Sequence, residues 1–158
     1  MANEDIRIDP SPPPDFAWAA LVPELLVRDL AASLVFWRDL CGFVIAYARD
    51  EDDFAYLERE SAQLMLEQIG EGRQWITGPL EYPLGRGINL QIGVAAIEPI
   101  LDALAAAGWP LHMAPEEKWY RAGDREVGVR QFLAQDPDGY LIRFSASLGL
   151  RPQSTRMG

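Results

Sequence analysis

The chain has 158 residues, of which 49% are hydrophobic and 24% charged, and its formal net charge is −10. This length and composition fit one globular domain, or two small ones that share a core. The acidity argues against nucleic acid and anionic membranes as partners, because both require clustered lysine and arginine. It suits a cationic or neutral small molecule, although a charge of this size can also serve solubility alone.

The ends of the chain and its single cysteine indicate the cellular compartment of the protein. Residues 1–15 are acidic and proline-rich, which favours a flexible extended arm and argues against a signal or transit peptide. No stretch approaches the ~20 apolar residues of a membrane span. Cys41 is the only cysteine, which excludes an internal disulfide and a cysteine-based zinc site. We therefore expect a cytoplasmic protein with a polar tail over residues 149–158.

Two amphipathic helices are predicted from apolar residues that recur every three or four positions. The first is expected over residues 29–41, with Asp29 as its N-cap and Gly42 ending it. The second is expected over residues 96–107, with Pro99 in its first turn. Eight shorter apolar segments have strand character. They are residues 21–27, 43–48, 54–58, 63–68, 88–94, 110–114, 127–135 and 140–146.

The two halves of the chain share one order of elements: strand, helix, strand, strand, strand. They also align, since Val27 and Leu34 correspond to Val94 and Leu101 at one constant offset. The duplication predicts an α+β fold of two βαβββ modules whose curled mixed sheets surround a cleft. The first module with its connecting loop would span residues 16–86, and the second residues 87–148. The alternative is chance agreement between two generic strand–helix–glycine units.

Catalytic and metal-binding motifs are scarce. The sequence has no P-loop, no complete dinucleotide-binding glycine pattern and no Gly-x-Ser-x-Gly elbow. The single histidine, His112, falls in an expected strand, where we favour a partly buried structural role over a catalytic one. The acidic run 50–53 lacks the spacing of a calcium loop, which favours a solvated turn.

Three aromatic residues stand outside the core periodicity. Trp75 falls in the region 69–87, and Trp119 and Tyr120 fall in the polar segment 115–124. Large aromatic side chains in such places line ligand sites, anchor subunit interfaces, or fill a core when the loop folds back. These three interpretations remain open from the sequence.

Several segments resemble a known family. Residues 22–30 (VPELLVRDL), with Phe36-Trp37 and residues 40–43 (LCGF), are similar to the opening of a vicinal-oxygen-chelate module. Residues 119–124 (WYRAGD), 130–132 (RQF) and 136–140 (DPDGY) resemble the closing hairpin of the second module. Over about residues 20–148 the chain most resembles the bleomycin-resistance branch of the glyoxalase/bleomycin resistance/dioxygenase superfamily.

This resemblance implies paired βαβββ modules, usually assembled as a homodimer. In metal-dependent members the metal ligands lie on concave strands, at places that fall here on Val22, Met65, Asn89 and Arg143. Valine has no ligand atom, and the arginine cation repels a metal ion. We therefore expect no metal, no cofactor and no catalytic residue of the metal-dependent kind.

The resemblance and the residues together predict a metal-free small-molecule-binding protein of bleomycin-resistance type. It would sequester a cationic or aromatic antibiotic-like ligand, such as bleomycin, in a cleft at the dimer interface. The expected ligand-binding residues are Glu24, Trp75, Asn89, Gln91, Trp119, Tyr120 and Arg143. One alternative is a metal-dependent lyase or dioxygenase of the same superfamily. Another is an interaction module whose cleft is vestigial.

Overall fold

The computed structural model describes residues 10–70 and 75–154. Most of the predicted arm, residues 1–9, lies outside this described part of the chain, as do the last four residues of the predicted tail. The fold divides into two compact units, Met1–Glu81 and Tyr82–Gly158. In the described residues no helix is both long enough and apolar enough to cross a membrane.

Each unit contains one βαβββ module. The first consists of β1 (Glu24–Val27), α1 (Leu30–Leu34), β2 (Val44–Arg49), β3 (Phe54–Arg59) and β4 (Ala62–Gln68). The second consists of β5 (Asn89–Gly93), α2 (Glu98–Ala106), β6 (Leu111–Ala122), β7 (Arg125–Gln135) and β8 (Leu141–Pro152). The predicted α+β fold of two βαβββ modules is confirmed.

The two modules have the same sheet topology. The strand order is β1-β4-β3-β2 in the first and β5-β8-β7-β6 in the second. The first strand of each module pairs in parallel with the last, and the other pairs are antiparallel. This equivalence supports the duplication inferred from the sequence. The sheets are open and uncurled, where we had expected curled ones, because neither pair of edge strands closes by hydrogen bonding.

The first helical segment departs from a regular α-helix. Asp29 caps it as predicted, since its carboxylate accepts a hydrogen bond from the Ala32 N–H at 3.1 Å. From Val35 to Leu40 the backbone forms a π-helix, in which the Cys41 N–H donates to the Phe36 carbonyl at 2.9 Å. Phe36 and its neighbour Trp37 are both fully buried in this segment. The helical segment therefore supplies the aromatic core on one side of the first sheet.

The second module contains two strands that are longer than expected. β6 continues to Ala122, although the segment 115–124 is polar, because it pairs with β7 over its whole length. β8 continues to Pro152, so residues 149–152 belong to a strand instead of a polar tail. Arg151 of this extension forms an ion pair with Glu126 of β7 at 2.7 Å. Polar composition reflects solvent exposure here and does not mark a loop.

The turn before β8 follows the predicted Asx chemistry. The Asp136 carboxylate accepts hydrogen bonds from the backbone N–H groups of Asp138 at 3.0 Å and Tyr140 at 2.9 Å. Gly139 has φ +88°, and a Cβ there would lie 2.4 Å from the Pro83 Cβ. Glycine is therefore required at this turn by both its backbone and its packing.

Candidate functional site

One face of the first sheet collects eight side chains in two rows across its four strands. Residues alternate between the two faces of a strand, so strand register decides which side chains become neighbours. The first row contains Arg49, Phe54, Glu67 and Leu26, and the second contains Tyr47, Tyr56, Met65 and Glu24. Leu25 and Val27 of β1 are buried on the opposite side. Glu24 and Leu26 of β1 therefore lie on the cavity face, and Leu25 and Val27 lie on the core face.

A cavity of about 350 Å³ opens on this face. Trp75, which follows the undescribed residues 71–74, forms part of its wall and is 78% exposed. The cavity brings together Glu24 and Trp75, two of the residues expected to bind ligand. The side chains that line it are Glu24, Leu26, Tyr47, Arg49, Phe54, Met65, Glu67 and Trp75.

Two carboxyl groups meet in this cavity. Glu24 of β1 lies beside Glu67 of β4, so their carboxyl groups interact across the sheet. Burial raises the pKa of Glu24, hydrogen bonding to the Glu67 carboxyl and the negative charge of Glu67 raise it further, and the positive charge of Arg49 opposes them. The pair therefore concentrates negative charge in the cavity, where it would attract a cation.

Arg49 lines the same cavity and contacts Asp52 and Phe54. Its Nε donates to the Asp52 carboxylate at 2.7 Å, and its guanidinium lies 3.8 Å from the centre of the Phe54 ring. The Phe54 face thus already stabilises a cation beside the cavity. The contact between Arg49 and Phe54 is therefore an example of cation–π stacking on this face of the sheet.

Aromatic rings cover the part of this face next to the cavity. Tyr47 and Tyr56 stack with their ring centres 5.2 Å apart and their planes 20° from parallel. Trp18 meets both rings edge to face, at 5.3 Å from Tyr56 and 6.0 Å from Tyr47, and Phe16 meets Trp18 at 4.8 Å. Such contacts each contribute about 0.5–1.5 kcal/mol beyond the area that they bury.

The rings of Phe16 and Trp18 belong to residues 16–19, which we call the strap. Gln63 of β4 binds the strap through both atoms of its side-chain amide. Its Nε2 donates to the Ala17 carbonyl at 2.7 Å, and its Oε1 accepts from the Ala19 N–H at 2.8 Å. The same Oε1 accepts from the Tyr56 hydroxyl at 2.6 Å. Gln63 is 8% exposed, so these bonds satisfy a buried amide and fix the strap on the sheet.

Four other expected ligand residues lie on one face of the second sheet. Across the parallel pair β5–β8, Asn89 is next to Leu141 and Gln91 is next to Arg143. Tyr120 of β6 is on the same face, where its hydroxyl accepts a hydrogen bond from the Gln131 amide at 2.9 Å. The Gln131 amide also donates to Glu116 at 3.0 Å. The structure therefore places these four residues in a different module from Glu24 and Trp75.

Trp119 lies on the opposite face of the second sheet from Tyr120, because the two are neighbours in one strand. Its ring packs over Gly128, where a Cβ would come within 2.5 Å of the ring, and the Arg151 guanidinium lies 3.9 Å from the ring centre. The ring is thus enclosed by contacts within the module. Trp119 does not share a surface with the other expected ligand residues of this module.

Six cavity residues were absent from the expected ligand-binding residues: Leu26, Tyr47, Arg49, Phe54, Met65 and Glu67. Glu67 could have been predicted from the sequence. It follows Met65 by two positions in the same strand, so it lies on the same face, and Met65 had already been placed on the concave face.

His112 also differs from expectation. It is exposed, and it lines a second cavity of about 440 Å³ within the second module, together with Trp109 and Pro137.

The donor set does not fit a metal centre of the family's kind. Met65 is a thioether next to Glu24, and Arg143 is a cation. Within residues 10–70 and 75–154, no group of three or more His, Cys, Asp or Glu side chains is arranged to hold a metal ion. These side chains therefore do not suit the metal ion of the metal-dependent family members.

These features define a class: a small α+β protein of two βαβββ modules with a ligand-sized cavity on a sheet face. The chain belongs to the Glyoxalase/Bleomycin resistance protein/Dioxygenase superfamily, whose family model matches residues 17–144. No curated protein matches the chain.

Two of the similar solved structures support this assignment of fold. TioX from Micromonospora sp. ML1 is similar with a TM-score of 0.63 and 19% identity, over 83% of this chain and 100% of that one. A virulence protein from Salmonella typhimurium is similar with a TM-score of 0.58 and 18% identity, over 83% and 98%. A superfamily member from Vibrio splendidus 12B01 shares 36% identity, over 80% and 97%, with a TM-score of 0.37.

Proposed function

We propose that this protein is a metal-free small-molecule-binding protein of the bleomycin-resistance type, which captures an organic cation with an aromatic ring. The observation that carries the proposal is that the carboxyl groups of Glu24 and Glu67 line one cavity together with aromatic side chains. The family includes bleomycin resistance proteins, which makes binding without chemical conversion a known use of the fold. The net charge of −10 would raise the local concentration of a cation.

The cavity offers two complementary kinds of contact. The carboxyl pair supplies negative charge at a partly desolvated position, where a charge-assisted contact is stronger than in water. The ring of Trp75, which is largely exposed, supplies a face on which a flat cation can stack. A volume of about 350 Å³ lies near the lower end of ligand pockets, which run from about 300 to 1,000 Å³. The cavity therefore suits one ring system bearing a cationic group.

The alternative, a metal-dependent lyase or dioxygenase, has less support from this face. A catalytic metal site takes about three protein ligands. Glu24 and Glu67 supply carboxylate oxygens, but their neighbour Met65 supplies only a soft thioether.

We propose in addition that the protein acts as a homodimer, which is the assembly that the family resemblance implies. We also propose that it acts in the cytoplasm.

Calorimetric titration of chelator-treated protein tests the proposed function. The cationic probes are benzyltrimethylammonium and metal-free bleomycin, and the neutral control of similar size is N,N-dimethylbenzamide. We expect the cations to bind and the amide to bind at least about tenfold more weakly, which corresponds to about 1.4 kcal/mol. Equal affinity for benzyltrimethylammonium and the amide, or binding only after a divalent metal is added, would contradict the proposal.

A further inference from the structure

The equivalent sheet faces of the two modules differ in charge. In the first module Glu24 is paired in register with Met65, and in the second module the equivalent pair is Gln91 with Arg143. The row that contains Glu67 in the first module contains Ser145 in the second. On the second face an amide and a hydroxyl thus take the places of the two acids, and a guanidinium takes the place of Met65.

Arg143 has a buried side-chain N–H without a hydrogen-bond partner, a state that it shares, among the described residues, with the Nη1 of Arg59 in the first module. Arg49, Arg130 and Arg151 all form ion pairs at 2.7–2.8 Å. The Arg143 Nε, by contrast, is buried and has no hydrogen-bond partner among the residues that the structure describes. A buried N–H without an acceptor is costly, so such groups in folded proteins need an explanation. A bound ligand that accepts a hydrogen bond from this N–H would be such an explanation.

The surroundings of Arg143 favour an anion with an apolar body. Its neighbours in register are Gln91 on β5 and Leu133 on β7, and Met113 follows Leu133 on β6. The acid on this face, Glu116, accepts a hydrogen bond from Gln131, which lies one row away from Arg143. The other titratable groups on the face by register are Lys118, Tyr120 and Arg125. Arg143 thus has apolar and amide neighbours in its own row.

We propose that the second module binds the carboxylate of a small aromatic acid at Arg143. The guanidinium is a planar fork of N–H donors that matches a carboxylate in two parallel hydrogen bonds, one of them from the buried Nε. The exposed amides of Asn89 and Gln91 are placed to bind the carboxylate edge, and Leu133 and Met113 to contact the ring. This site lies in a different module from the cation cavity, so either site can exist without the other.

The first test uses the two described methionines as reporters. Met113 belongs to the Arg143 face and Met65 to the cation cavity. In methyl NMR spectra we expect benzoate to shift the Met113 signal and to leave the Met65 signal unchanged. Benzamide, a neutral analogue, should shift neither. A benzoate shift confined to Met65, an equal response to benzamide, or no response to benzoate would overturn the proposal, whatever benzyltrimethylammonium does.

The second test compares variants by calorimetry with benzoate. Arg143→Gln should weaken binding by at least about tenfold, and Arg143→Lys, which keeps the charge but loses the fork, by less. Arg130→Gln removes an equal charge from the opposite face, where Arg130 pairs with Glu98, and should change affinity by less than about twofold. Equal effects of Arg143→Gln and Arg130→Gln, or inorganic phosphate binding more tightly than benzoate, would rule out a carboxylate site at Arg143.

Discussion

Glu24 and Glu67 lie on adjacent parallel strands, and their carboxyl groups interact in the wall of the cavity. They are not direct register partners, since Glu24 is paired with Met65 and Glu67 with Leu26. The contact therefore runs diagonally across the sheet and places two acidic groups in the cavity. The proposed function depends on this arrangement, because it keeps an acidic group available where aromatic faces can hold a cation.

The variant Glu67→Gln should weaken binding of benzyltrimethylammonium about tenfold, because interactions with a charged group contribute about 1.5–3 kcal/mol. Glutamine keeps the size of the side chain and a hydrogen-bond partner for Glu24. Glu117→Gln, an exposed substitution on β6, changes the net charge equally and serves as the matched control. Calorimetry measures both. If the two variants bind the cation equally well, the carboxyl pair is not the binding site.

Binding of the cation should strengthen as the pH rises from 4.5. The pKa of Glu24 is raised above 4.5, so a part of the protein keeps this proton above that pH, and the neutral acid attracts a cation less. Binding should release protons in this range, which calorimetry in buffers of different ionisation enthalpy detects. Glu24→Gln, which has no proton to lose, should remove most of this pH dependence. A pH profile unchanged in that variant would assign the titration to another group.

Gln63→Leu should lower the free energy of unfolding by about 2–4 kcal/mol, because three hydrogen bonds each contribute about 0.5–1.5 kcal/mol. These are the bonds that join Gln63 to the strap and to Tyr56. Tyr56→Phe removes only one of them and should cost about 1 kcal/mol. Urea unfolding measures both values. Equal losses in the two variants would mean that the strap bonds do not stabilise the fold.

Gly128→Ala should displace the Trp119 ring, since the new Cβ would lie 2.5 Å from it. The ring would lose its stacking on Arg151, which we expect to cost about 1 kcal/mol. Gly93→Ala in β5 is the matched control, because no atom lies within 4 Å of the Cβ that it adds. Urea unfolding and tryptophan fluorescence should change in Gly128→Ala only. Unchanged fluorescence in Gly128→Ala would contradict the packing described for Trp119.

The fold was largely predictable because the apolar pattern repeats in both halves. Residues 25 and 27 alternate with Glu24 and Leu26, and the strand–helix order recurs after Val94. The extension of β6 escaped prediction because its polar residues face solvent on an edge strand, which polarity alone does not distinguish from a loop. Strand length depends here on pairing with β7, a long-range property.

The candidate site was predictable only in part. Glu24 follows from alternation along β1, but the contact between Glu24 and Glu67 depends on the register of β1 against β4, which the sequence does not specify. Trp119 and Tyr120 were both expected to contact ligand because they are aromatic residues of a polar segment outside the core periodicity. In a strand, adjacency places them on opposite faces, so only Tyr120 shares the face of Arg143.

The most direct test of the central claim is a methyl NMR titration of metal-free protein with benzyltrimethylammonium. Met65 lies in the wall of the proposed cation cavity, whereas Met113 belongs to the second module. We predict a saturable shift of the Met65 methyl signal, lost in the double variant Glu24→Gln/Glu67→Gln, with Met113 unchanged. Absence of a Met65 shift while the cation binds, or a shift that persists in the double variant, would contradict the account.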